Sequence, residues 1–125
     1  MQTLQKITDR VKSFEDACDV LSISAADIIP FKGDNADQLA VNALCKLIAI
    51  ARALNEGWTP DWDNSSQRKW YPWFWMNNPG FRFYDTLCDF TFARATGGSR
   101  LCFKSAELAE YAGKQFLDIY KSFLS

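Results

Sequence analysis

The side chains able to do acid–base chemistry here are carboxylates, because the 125-residue chain contains no histidine. Imidazole is the common general base near neutral pH and the usual activator of a nucleophilic serine or cysteine. Its absence argues against a hydrolase of either kind. Asp61 with Asp63, and Asp85 with Asp89, are the carboxylates close enough in sequence to bind a metal or to divide the roles of acid and base. Aspartates in polar turns more often cap backbone amides or stay solvated, so an enzyme using Asp61 or Asp85 is the weakest of three functional readings. No GxGxxG or Walker-type phosphate loop occurs. Gly97-Gly98-Ser99-Arg100 offers backbone amides to an anion, with Arg100 and Lys104 adding charge on one strand face. A glycine pair is equally a hairpin turn, which is the plainer expectation. Cys18, Cys45, Cys88 and Cys102 are widely separated and form no CxxC pair. They are expected as buried free thiols, since a zinc site would need all four, or added carboxylates. No metal site and no cofactor is expected.

Binding chemistry is better represented. All five tryptophans fall between Trp58 and Trp75, in the segments 58–62 and Lys69-Trp70-Tyr71-Pro72-Trp73-Phe74-Trp75-Met76. Rings at that density either fill a core or form a surface on which something stacks. Residues 70–76 read as a strand with Trp70, Phe74 and Met76 on one face and Tyr71, Trp73 and Trp75 on the other. Pro72 cannot donate to a ladder, which puts the strand at an edge or a bulge. If helices cover only one face, the other lies at the surface or at a subunit interface, unless the loop 58–67 folds back over it. The candidate binding set is Arg52, Trp58, Asp61, Trp62, Lys69, Tyr71, Trp73, Trp75, Arg82, Arg100 and Lys104. Its rings suit a nucleobase, a sugar or a partner's side chains, and its cations suit an anionic group.

The elements that must position these residues follow from patterning. Residues 1–12 suggest a frayed helix or an arm, with Leu4, Ile7 and Val11 at helical spacing. Ser13 and Asp16 resemble a capping box for a short helix ending near Ser22, and Ser24 to Asp27 adds a turn before Pro30 forces extended chain. Asp34 or Asn35 caps a long central helix over 36–55, whose apolar face is Leu39, Ala43, Leu44, Leu47, Ile50, Ala51 and Leu54. Gly57 can take the left-handed conformation that ends it. Asn77-Asn78-Pro79-Gly80 reads as a type II turn centred on Pro79 and Gly80. A second strand follows within 81–92, and a third over 100–104 alternates Leu101 and Phe103 with polar residues. Ser105 caps a last helix to about Phe123, with Leu108, Ala112, Phe116, Ile119, Tyr120 and Phe123 inward. The fold expected is α+β: a three-stranded antiparallel meander packed on the central and C-terminal helices, in one domain.

Composition bounds the partners. Hydrophobic residues make up 48% and aromatics 15%, and 14 basic residues against 15 acidic give a net charge of -1. No basic field exists to grip duplex nucleic acid. Residues 1–13 lack the apolar core of a secretory signal. The apolar run 39–54 is broken by Asn42, Lys46 and Arg52, so no membrane span is expected and a cytoplasmic location is.

At Arg52-Ala53-Leu54-Asn55-Glu56-Gly57-Trp58-Thr59-Pro60-Asp61-Trp62, at Tyr71-Pro72-Trp73-Phe74, and at Gly98-Ser99-Arg100-Leu101-Cys102-Phe103-Lys104-Ser105 with Glu107-Leu108-Ala109-Glu110-Tyr111-Ala112-Gly113, the chain resembles a family of small proteins encoded by phages and mobile elements of gut Bacteroidales. The resemblance covers the chain from Lys32 onward. It implies an accessory role in replication, virion assembly or interference with host defence, and it transfers no catalytic residue. Three readings result: a binding module contacting a partner protein or small anionic ligand, a self-associating structural protein, and the carboxylate-dependent enzyme.

Overall fold

The computed structural model describes residues 6–125, so the expectation for Leu4 lies outside the described residues. Its elements run α1 (Ile7–Arg10), α2 (Phe14–Leu21), α3 (Ala25–Ile28), α4 (Ala36–Asn55), β1 (Lys69–Trp75), β2 (Arg82–Asp89), α5 (Ala106–Gln115) and α6 (Leu117–Leu124). The architecture is α+β. No helix among the described residues is long and apolar enough to cross a membrane.

Local chemistry explains the helix ends. The Ser13 hydroxyl accepts from the Asp16 amide at 3.1 Å, which satisfies an orphan amide in the first turn of α2, and the Asp16 carboxylate accepts from the Lys12 amide just before the cap at 3.0 Å. Asn35 accepts from the Gln38 amide at 2.8 Å to start α4. That helix ends at Asn55, as the sequence predicts, and both Glu56 and Gly57 beyond it are left-handed, φ +50° and +86°. Residues 7–11 are packed rather than loose. Ile7 and Val11 are buried, and the Val11 carbonyl accepts from the Tyr111 hydroxyl at 2.6 Å.

The core gathers Leu47, Ile50 and Leu54 of α4, Phe14, Ala17 and Cys18 of α2, and Leu108, Ala112, Phe116 and Tyr120 of the C-terminal helices. Leu39 does not join it. With Val41 it is more than two-fifths exposed. The predicted single C-terminal helix is two. Phe116 leaves helical geometry at φ -109° and ψ 31° while burying its ring. The break lets α5 lie on the sheet and α6 on α4.

The sheet differs from the predicted meander. It has two strands, and the third segment contributes one bridge, Phe103 to Trp70. That bridge falls on β1, whereas a meander would have placed it on β2. Leu101, Cys102 and Phe103 are all buried, so the residue alternation marks a segment covered on both sides. Asn55 anchors the side of this segment turned away from β1. Its side-chain amide donates to the Cys102 carbonyl at 2.8 Å and its carbonyl accepts from the Lys104 amide at 3.0 Å. Main-chain groups on that far side are thus held by one helix-terminal side chain, while toward β1 pairing ends because the Leu101 amide turns back to the Gly98 carbonyl at 3.3 Å.

Between β1 and β2 the register is Lys69 to Asp89, Tyr71 to Leu87 and Trp73 to Asp85, then Phe74 to Phe83, which leaves Tyr84 as an extra residue in a bulge. The connecting turn is centred one residue earlier than predicted. The Asn77 carbonyl accepts from the Gly80 amide at 2.9 Å across a cis Asn78–Pro79 bond. Helix α5 approaches closely at Gly113, where a Cβ would come within 2.7 Å of Phe83 and 2.8 Å of Pro72.

Candidate functional site

A groove of about 380 Å³ lies beside β1. Tyr71, Pro72, Trp73 and Phe74 of β1 and the following Met76 form one wall, and Tyr120, Phe123 and Leu124 of α6 form the other. Asp89, Arg94, Thr96, Gly97 and Leu101 complete it. The wall from α6 exists because Tyr120, Phe123 and Leu124 recur at helical spacing on the side turned to the strand. Tyr120 packs its ring 4.9 Å from that of Phe74.

The segment after β2 closes one end. Gly97 sits on the Tyr71 ring, where a Cβ would lie 2.9 Å from the nearest ring carbon. Gly98, at φ +87°, donates its amide to the Tyr71 hydroxyl at 2.9 Å. The glycine pair therefore seats the chain on a tyrosine, and the Gly98 amide is committed to that contact instead of to an anion. Burial pushes the Tyr71 hydroxyl well above its ordinary pKa, with the Gly98 hydrogen bond opposing, so it stays neutral at physiological pH. Burial likewise pushes the Cys102 thiol up to about 11. All four cysteines are free, Cys18 and Cys102 buried and Cys45 and Cys88 half-buried.

Arg94 is the exposed charge of the groove. Its guanidinium lies 4.2 Å from the centre of the Trp73 ring, a cation–π contact. Its Nε stands 3.9 Å from Asp89 Oδ1, and its side chain is 55% exposed against 13% for Asp89. Asp89 Oδ2 is buried without a hydrogen-bond partner among the described residues.

Of the residues expected at a binding face, Tyr71 and Trp73 line the groove and the others are dispersed. Lys69 is fully buried, and its amino group donates to the carbonyls of Asn64, Gln67 and Phe90 beneath the Trp62 ring, 5.1 Å away. Trp62 donates its Nε1 to the Ser99 hydroxyl at 2.6 Å. The loop 58–67 thus covers Lys69, while residues 94–98 cover Tyr71 and Trp73. Trp75 is exposed at the hairpin end, stacked edge-on to Tyr84 at 4.7 Å with Arg82 5.4 Å from its centre. Arg82 also donates to the Asn77 and Gly80 carbonyls, which holds the turn. Arg52 is exposed at the end of α4, and Trp58 is half-buried just beyond it. Lys104 stands 3.6 Å from Glu56. Arg100 lines a second cavity of about 410 Å³ with Leu44 and Ile48.

The aspartates bond neighbouring main-chain amides. Asp61 accepts from the Asp63 amide at 3.0 Å and Asp85 from the Thr86 amide at 2.8 Å. Among the described residues no three carboxylates or thiols come together as a metal site. Sequence reasoning singled out Asp89 only as a partner for Asp85, and missed Arg94 and the α6 wall. Arg94 has no motif near it, and Tyr120 and Phe123 carry the same helical spacing whether they face a core or the edge of a groove. Comparison with known protein families, with curated proteins and with solved structures finds no match to this chain.

Proposed function

We propose that the protein is a non-enzymatic binding module that holds an apolar segment of a partner protein in the groove between β1 and α6. The observation that carries this reading is the lining itself: five aromatic rings, those of Tyr71, Trp73, Phe74, Tyr120 and Phe123, with a single exposed charge. Concave apolar sites with a few placed polar groups are the usual form of ligand sites. A small anion is the poorer fit, because Arg52, Arg82, Arg100 and Lys104 do not converge on the groove. A phage or mobile-element setting, which the resemblance at residues 52–62, 71–74, 98–105 and 107–113 would imply, would make the partner a host or viral protein.

The test is a dye titration. Anilinonaphthalene sulfonate should bind the full chain, gain fluorescence and quench tryptophan emission through Trp73. Leu124→Arg, at the half-buried C-terminal end of the α6 wall, should weaken that binding on the order of tenfold, about 1.4 kcal/mol. Equal dye binding by the wild type and Leu124→Arg would remove the groove from consideration. The exposure of Tyr84, Phe90 and Phe92 favours a second reading, self-association through these rings, which concentration-dependent mass would reveal.

A further inference from the structure

We infer that the groove binds its partner by strand addition: an extended segment of pattern apolar–acidic–apolar pairs antiparallel with the free edge of β1. This rests on the groove reading above and specifies its occupant.

Main-chain groups along an antiparallel strand point alternately to its two sides. Trp70 gives its amide and carbonyl to Phe103, at 3.0 and 2.8 Å, on the side away from β2. Pro72 and Phe74 share that direction. Both line the groove, and neither has a main-chain partner on that side among the described residues. The fold therefore begins a third strand at Phe103, abandons it at Leu101, and leaves an edge facing a cleft with a helix as its far wall. A strand between a sheet edge and a helix is a recurrent way to capture extended peptides, in which backbone bonds give affinity and alternate side chains give specificity.

Pro72 sets the register. It lacks an amide hydrogen, so the edge offers the Pro72 carbonyl and both main-chain groups of Phe74. An antiparallel segment would exchange two hydrogen bonds with Phe74 through one residue, and the residue two further on would donate to the Pro72 carbonyl. Side chains of those two residues point to the Phe74 face, where Tyr120 stacks, so both are apolar. The residue between them lies opposite Trp73 and shares its face. Arg94 covers that face, half exposed and beyond hydrogen-bond distance of Asp89. A carboxylate there completes the charge, so the middle residue is Asp or Glu.

Random twelve-residue peptides displayed on a carrier and selected on the full chain test this. Recovered binders should share an apolar–acidic–apolar core and lose about tenfold in affinity to Leu124→Arg. Arg94→Glu should weaken them by a similar factor and favour the same peptides with Lys at the acidic position. The Phe74 amide should exchange with deuterium faster than those of Tyr71 and Trp73 in the free chain and become protected with peptide bound. Peptides blocked by Leu124→Arg that leave Phe74 exchange unchanged would overturn strand addition while sparing the groove. Failure to recover any peptide sensitive to Leu124→Arg overturns strand addition as well, and the dye titration then decides the groove separately. If the Phe74 amide becomes protected in the free chain as its concentration rises, a second copy is the occupant and the partner segment is ruled out.

Discussion

Lys69 places a charged group where strands usually bury apolar ones, and its three donors explain how that is tolerated. An ammonium has three N–H groups and no acceptor. Here three carbonyls meet them, from Asn64, Gln67 and Phe90. The same side chain thus joins the loop before β1 to the chain leaving β2, with the Trp62 ring above it. Lys69→Met keeps the stem and removes the donors, stranding carbonyls in the interior. Such a change costs about 2–4 kcal/mol, and urea denaturation should show a loss of that size. A loss well under 1 kcal/mol would mean that water reaches those carbonyls and that the junction is not held this way. The residue type alone marked Lys69 as a surface cation beside tryptophans. What makes it interior is a set of carbonyls up to 21 residues distant, and main-chain carbonyls leave no trace in residue identity. Arg94 was overlooked for the same cause: its partners, Trp73 and Asp89, lie in two strands that come together only in the fold.

Among elements, those governed by short-range chemistry were readable and those governed by competition were not. Caps at Ser13, Asn35 and Ser105 each accept from an amide three residues on, so the helix starts follow from neighbouring residues. The residues 100–104 alternate as a strand should, yet the Leu101 amide turns back to the Gly98 carbonyl and Pro72 has no amide to offer, so pairing ends at Phe103 while Asn55 holds the far side of the segment. A side chain 47 residues away anchors that far side. Asn55→Ala would leave the Cys102 carbonyl and the Lys104 amide without partners at a buried junction. Two such groups cost about 2–5 kcal/mol together, measurable as a lowered midpoint in thermal or urea unfolding. Asn55→Asp separates the two bonds, because it retains an acceptor for Lys104 and loses the donor to Cys102. Equal stability of Asn55→Ala and the wild type would show that the segment is held from β1 alone.

The whole molecule carries apolar rings at both ends of its hairpin. Trp75, Met76 and Tyr84 are exposed near the turn, and Phe90 and Phe92 beyond the other end of β2, with Phe92 86% exposed. Seven residues of β1 separate these ends by roughly 23 Å at the usual rise per residue, so they are two patches, and a net charge of -1 gives little repulsion between copies. A contact between opposite ends of two copies would be head-to-tail and would propagate into open chains, whereas like ends would close into a dimer. The partner-binding reading requires instead that both patches stay free and that the mass by light scattering remains that of one chain over a wide range of concentration. Phe92→Asp discriminates, because a ring so exposed contributes little to the fold and its replacement should leave stability within about 0.5 kcal/mol. If the wild-type mass climbs with concentration and Phe92→Asp holds it at one chain, the tryptophan-rich hairpin is an assembly surface. A constant mass in both proteins leaves the groove beside β1 as the place where this chain meets another.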